Sequence, residues 1–330
     1  MTITKPAYFD QFRCIAGACP DSCCKEWEVQ VDAASADRYR SLSGPLGDRL
    51  RQVLREEDGQ VFMTIQEGRC PMWRADGLCR IQAELGEEAL CHTCREFPRL
   101  THDYGDFVEL GLELSCPEAA RLILTSPAAP RCCQEVSGGE ADYDMEAMAS
   151  LKASREIALD ILSLERPIGQ SLALLLLYGC QAQGELDGDA VQPFDAEPAL
   201  ETAVSLAKSG NIQDISDFFG ALEHLTPQWP QRLKEIVSAP LSPLCRPLAR
   251  YLVERYWLQA VSDYDLYCRV KFLIISCLLV SSLGGDFLST AQLYSKEIEN
   301  NADNVESLLD AAYSHQAFTD DKLLGLLLAD

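Results

Sequence analysis

Thiols are the residues best placed to do chemistry in this chain. Of 15 cysteines in 330 residues, 11 fall within the first 133. They form two groups, Cys14-x4-Cys19-x3-Cys23-Cys24 and Cys70-x8-Cys79-x11-Cys91-x2-Cys94. Thiolates at these spacings can converge on a centre of about four ligands, either a tetrahedral zinc or a [4Fe–4S] cluster with one sulfur per iron. Structural zinc usually shows two CxxC pairs, and Cys91-His-Thr-Cys94 is one pair, so the spacing leaves both metals open. The bland reading of a cysteine is a small buried hydrophobe, and it suits Cys180, Cys245, Cys268 and Cys277 on apolar helix faces.

Other chemistry is thinly represented. The histidines are His92, His102, His224 and His315. His92 sits inside the CxxC and is a possible ligand, while His102 reads as a surface or supporting residue. Trp27 and Trp73 each follow a cysteine by three, and Arg95, Phe97, Pro98 and Arg99 follow Cys94. Aromatics there limit solvent, and arginines can hold a carboxylate or bond cluster sulfurs. Asp103, Tyr104, Asp106, Glu109 and Glu113 offer a base, although nothing selects one of them, so the catalytic and cofactor-binding residues stay unassigned. There is no Cys-x3-Cys-x2-Cys, no P-loop, no H-E-x-x-H and no glycine-rich loop after a strand.

The elements that must position these thiols are of two kinds. Residues 1–133 carry 15 basic and 21 acidic side chains; residues 134–330 carry 13 and 30, so most of the net charge of -23 lies in the second part. That acidity argues against nucleic acid as a partner. Residues 134–145 read as a linker between a cysteine-rich metal-binding domain, 1–133, and an α-helical domain, 146–330. The fold expected is mainly α: an irregular N-terminal region with a short hairpin, then a helical bundle. In the first part, 34–42 and 46–57 read as helices, and 60–65 and 106–114 as strands that could pair. In the second, three- and four-residue apolar spacing predicts helices over 147–164, 168–181, 199–208, 214–225, 247–261, 263–283, 286–299 and 304–314. The apolar run 272–283 is too short to span a bilayer and reads as a buried helix. With no transmembrane segment and no signal-like start, the expected location is the cytoplasm, where clustered cysteines favour metal or redox chemistry over disulfides.

The cysteine motifs also carry a resemblance. Phe12-Arg-Cys-Ile-Ala-Gly-Ala-Cys-Pro-Asp-Ser-Cys-Cys-Lys-Glu-Trp27, Cys70-Pro-Met-Trp-Arg-Ala-Asp-Gly-Leu-Cys79, Cys91-His-Thr-Cys-Arg-Glu-Phe-Pro-Arg99 and Leu114-Ser-Cys-Pro-Glu-Ala-Ala-Arg121 resemble the flagellin lysine N-methylase family over residues 8–125. The resemblance implies methyl transfer from S-adenosylmethionine to flagellin lysines, dependent on a 4Fe-4S cluster. By match to the shared core it implies Cys23 or Cys24, Cys70, Cys79 and Cys94 as ligands, with Cys14, Cys19, Cys91 and Cys116 in reserve.

Elementary chemistry adds a requirement. A lysine ammonium, with a pKa of about 10.4 in water, must lose its proton before it can attack a methyl sulfonium. The site must desolvate the amine or offer a base. The alternative reading is a non-enzymatic zinc- or iron–sulfur-binding adaptor, or a redox-sensing module.

Overall fold

The computed structural model describes residues 1–330 except Glu26, Ala128, Pro130, Ser238, Ala239 and Asp330. The fold is mainly α with a small β region in the N-terminal part. One sheet has the order β5-β6-β1-β7. Its strands are β1 (Thr2–Lys5), β5 (Arg99–Asp103), β6 (Phe107–Leu112) and β7 (Cys132–Glu135). β1 runs parallel to β6 and antiparallel to β7. The other sheet orders β2 (Val29–Val31), β4 (Gln60–Met63) and β3 (Leu54–Glu57).

The two segments expected to pair therefore lie in different sheets. Residues 60–63 fold back on 54–57, through a two-residue turn with positive φ at both Asp58 (49°) and Gly59 (75°). Asp-Gly is the sequence that such a tight turn favours, since glycine meets no steric cost there and aspartate tolerates it. The turn converts the end of the expected helix 46–57 into a strand, and the helix stops at Val53. Residues 107–112 pair with 99–103 and with β1.

The helices of the second part follow the apolar periodicity. They include Met145–Ser163, Ile168–Leu186, Cys245–Tyr256, Leu266–Ser282 and Ala302–Ser314. Three of these starts carry side-chain caps: Asp144 accepts from the Glu146 and Ala147 amides, Asp265 from the Cys268 amide, and Asn301 from the Asp303 and Asn304 amides. Each such cap satisfies amides that the helix itself leaves open. Leu266–Ser282 is buried almost all round, as a helix apolar on every face must be, and packs against Ile168–Leu186, Cys245–Tyr256 and Ala302–Ser314. Gly179 makes one of these crossings possible, because a Cβ there would lie 2.7 Å from Val270 Cγ1. Among the described residues, no helix is long and apolar enough to cross a membrane.

Two apolar cores result. The small one gathers Val29, Val31, Tyr39, Leu50, Met63, Met72, Ile81 and the sulfurs of Cys70 and Cys91. The large one joins the helical body to Phe12, Phe107, Leu112, Leu114 and the helix Pro117–Thr125. Residues 107–124 thus pack with the helices, and the chain passes between the two cores more than once.

Candidate functional site

Between these cores lies a cavity of about 820 Å³. One wall is sulfur: Cys14, Cys19, Cys23, Cys24, Cys79, Cys94 and Cys116 line it. Cys70 and Cys91 sit just behind, buried in the small core.

Local folding explains how thiols distant in sequence share one wall. The Cys70 amide donates to the Cys24 carbonyl at 2.7 Å, and Lys25 bridges Arg69, so the two cysteine groups are stitched at their backbones. Trp73 bridges Cys79, which closes the Cys70-x8-Cys79 loop on itself. Cys79, Cys91 and Cys116 each stand at the N-cap of a helix: Arg80–Leu85, His92–Glu96 and Pro117–Thr125. Open amides there favour thiolate. Asp32 locks the CxxC in place. Its Oδ1 accepts from the Ser35 amide at 2.9 Å and its Oδ2 from the His92 amide at 2.8 Å, so one carboxylate caps two helices.

The sulfurs interact in sets. Cys24 accepts from the thiols of Cys23 and Cys70, which holds its pKa well below the ordinary thiol range and pushes both donors up. Cys91, accepting from Cys94, is lowered to about 7, while Cys94 rises. The charge on Cys24 is felt at Cys79 and Cys94, so the sets face one another. Burial raises Cys79 and takes Cys116 up to about 11. Among the described residues, no three His, Cys, Asp or Glu side chains form a ready-made single-ion site.

Aromatic and basic residues edge the sulfur wall as their positions suggest. Trp27 donates its Nε1–H to the Cys23 carbonyl at 2.6 Å and meets Phe97 at 5.8 Å. Arg99 lies over the Phe12 ring, and Arg13 and Arg95 also reach the cavity. Trp73 is instead covered by Arg69, 4.2 Å from its centroid.

Other expected residues stand elsewhere. His92 lines a shallow pocket with Asp32 and Arg38, and does not line the sulfur cavity. His102 is half-buried. It lies in β5 across from Glu109, with its Nε2 buried and without a hydrogen-bond partner among the described residues. Of the carboxylates near Cys116, Glu109 is committed to a bidentate pair with Arg155 (2.8 Å and 2.8 Å), and Glu113 is enclosed with Ser115. Cys245, Cys268 and Cys277 are buried in the helical body, whereas Cys180 is exposed.

The opposite wall comes from the helical body and has no sequence signal near the cysteines. It consists of Glu223, His224 and Leu225, of Lys296, and of residues 300–303. Lys296 belongs to a π-helical turn, Ser295–Glu299, whose five residues are all buried. Such turns recur at functional sites because the extra residue redirects side chains.

The fold and cavity define a class: a mainly α protein that joins a thiol-lined wall to a helical body across one cavity. The chain belongs to the family of the flagellar protein FliU and the lysine-N-methylases. It is 35% identical over 136 residues to "Flagellar biosynthetic protein FliU" of Salmonella muenchen, a match covering 39% of this chain and 80% of that protein. It is equally identical, over 136 residues, to the proteins named "Lysine-N-methylase" of Salmonella typhimurium and Salmonella choleraesuis, where the match spans only 34% of each. No family model and no solved structure matches the chain.

Proposed function

We propose that the protein is a methyltransferase that moves a methyl group from S-adenosylmethionine to lysine side chains of flagellin, with an iron–sulfur cluster on its sulfur wall. The observation that carries this reading is a single cavity with soft sulfur donors on one side and acidic and imidazole groups on the other. Relatives named lysine-N-methylase support the reaction class.

The donor set suits a thiolate-held cluster. The groups that hydrogen-bond one another on this wall are thiols, and soft thiolates select iron–sulfur or zinc. Cys23 or Cys24, Cys70, Cys79 and Cys94 would hold it, with Cys14, Cys19, Cys91 and Cys116 as alternatives; zinc is the competing metal. When bound, a cluster would supply a fixed charge and shape at this wall. The protein's own residues do the rest. Trp27 and Phe97 exclude water and favour a cationic sulfonium over their ring faces. Arg13, Arg95 and Arg99 suit a carboxylate. Glu223 and Asp303 favour a lysine ammonium entering from the other side.

A second reading is a non-enzymatic metal-binding adaptor. It is favoured by the extent of the match, which covers most of FliU but a third of the methylases. Anaerobically purified protein, given labelled S-adenosylmethionine and flagellin, should label flagellin lysines. Bound iron and sulfide without any transfer would overturn the methylase reading in favour of the adaptor. Cys70→Ala, Cys79→Ala and Cys94→Ala should each lose metal; full metal content in all three would refute the ligand set.

A further inference from the structure

The seven thiols that line the cavity and the two behind them make nine, more than one four-ligand centre can use. Cys24, Cys70, Cys79 and Cys94 account for one centre, and Cys91 sits behind the wall as the partner of Cys94. Cys14, Cys19 and Cys116 are left over, and all three line the cavity.

Specific contacts bring these three together. Cys14 and Cys19 flank a 3-10 turn, Ala16–Ala18, in which Ala16 takes a positive φ of 48°. The Ala16 amide donates to Cys14 Sγ at 3.4 Å, and the Cys19 amide to the Ala16 carbonyl at 3.0 Å, so the turn folds Cys14 back toward Cys19. Cys19 Sγ in turn lies 2.7 Å from the Asp21 carbonyl oxygen. Cys116 comes from far along the chain, and one side chain ties its segment to that loop. Gln292 Nε2 donates both to Asp21 Oδ2, at 3.1 Å, and to the Ser115 carbonyl, at 2.7 Å. Gln292 is buried, so the chain beside Cys19 and the chain beside Cys116 are clamped from inside the protein. The sulfurs feel one another's charge: Cys14 acts on Cys19 and Cys116, and Cys19 acts on Cys116. Burial raises Cys116, and the Ala119 and Glu118 amides at the start of its helix oppose that by favouring thiolate.

The neighbours Cys23 and Cys24 look two ways. Cys24 bonds Cys70 as well as Cys23, and its charge is felt at Cys79 and Cys94. Cys23 meets the leftover trio, since Cys14 and Cys116 both act on it. A run of cysteines whose members serve two centres has a precedent in two-cluster ferredoxins. We propose that Cys14, Cys19 and Cys116, with Cys23 as the fourth ligand, hold a second thiolate-bound metal centre beside the one held by Cys24, Cys70, Cys79 and Cys94. The inference builds on the metal wall of the proposed function but not on methyl transfer. The described residues form no ready-made single-ion site. That spacing favours a cluster, whose thiolates stand farther apart than the roughly 3.8 Å between sulfurs bonded to one tetrahedral zinc.

Metal and sulfide analysis of the anaerobically purified protein tests the proposal. Two centres give about eight irons with matching sulfide, or about four irons and one zinc where the second centre is a single ion. Cys14→Ser, Cys19→Ser and Cys116→Ser should each lose that second complement and keep the first. Alkylation of the unmutated holoprotein, mapped by mass spectrometry, needs no variant to fold. Cys14 and Cys19 should react about tenfold or more slowly than after metal removal, while the exposed Cys132, Cys133 and Cys180 react alike in both states. About four irons or fewer with no other metal, or Cys14 and Cys19 as reactive with metal as without, would overturn the inference. Iron lost from Cys70→Ala but not from Cys116→Ser would do the same and leave the first centre in place. Both complements present without any methyl transfer would instead sink the methylase reading and leave the second centre standing.

Discussion

Lys296 Nζ lies 3.0 Å from Asp21 Oδ2, so a buried lysine of the π-helical turn grips the loop that carries Cys19, Cys23 and Cys24. Gln292 Nε2 donates to the same oxygen at 3.1 Å and to the Ser115 carbonyl at 2.7 Å. One carboxylate therefore registers the sulfur wall against the helical wall. The partners are unequal, with side-chain exposures of 8% for Lys296 and 26% for Asp21.

Loss of that carboxylate should loosen the loop before it unfolds the protein. Asp21→Asn removes a charge from a partly buried, hydrogen-bonded pair, which costs about 1.5–3 kcal/mol. In metal-free protein under reducing conditions, Cys19 and Cys23 should alkylate faster in the variant, while Cys277 in the helical core stays protected. Equal alkylation rates at Cys19 and Cys23 in both proteins would show that the tether does not hold the wall.

Asp32 gives a second handle, on the CxxC alone. The His92 amide, followed by the Ser35 amide, holds its pKa down at about 2. The folded value is below the unfolded one, so this contribution is fully present above the ordinary aspartate pKa and fades as pH falls toward 2. Asp32→Ala uncaps two helices and should cost about 1–2 kcal/mol per cap in chemical denaturation near neutrality. Asp32→Asn keeps one acceptor oxygen and should lose about half as much. If both substitutions cost the same, the double cap is not what stabilises this corner.

How far the sequence reveals such features depends on whether their cause is local. Caps at Asp144, Asp265 and Asn301 and the apolar periods of the second part are local, and the helices stand close to where those patterns put them. The turn at Asp58-Gly59 was legible too, but the helical pattern over 46–57 masks it. The parallel pairing of β1 with β6 joins residues about a hundred apart, and short polar strands such as Thr2–Lys5 carry no alternation to announce it. The sulfur wall was legible by residue type, because cysteine is scarce enough to stand out. Glu223, His224 and Lys296 were not. They lie among helical segments far along the chain from the cysteines, Glu223 and His224 in the loop after the helix Ile212–Gly220, and only the packing of the π-helical turn against the cysteine loop brings them to the cavity.

The ion pair of Glu109 and Arg155 joins β6 to the helix Met145–Ser163 inside the large core, with both residues under 9% exposed. Removal of one partner strands a buried charge. Glu109→Leu should therefore destabilise by about 3–5 kcal/mol, and adding Arg155→Met should recover much of it. Additive effects in denaturant unfolding of the two single variants and the double would mean that the residues do not act as a pair.

His102 completes the same layer and should make the protein acid-sensitive. Burial, and after it the positive Arg255, lowers its pKa below the ordinary histidine value of about 6.5. Arg131 acts in the same direction, and Glu109 opposes them. The unfolded chain then binds a proton more readily than the folded one. Stability from this residue is complete above the unfolded pKa and declines as pH falls below it. Among the described residues the neutral ring also leaves Nε2 buried without a partner, so the folded state gains nothing there that a similar neutral side chain would lose. Unfolding free energy measured from about pH 7 down to about pH 5 should slope downward in the wild type. His102→Gln should flatten that slope by up to one proton's worth while leaving stability near pH 7 within about 1 kcal/mol. An unchanged slope in the variant would place the acid sensitivity on other groups.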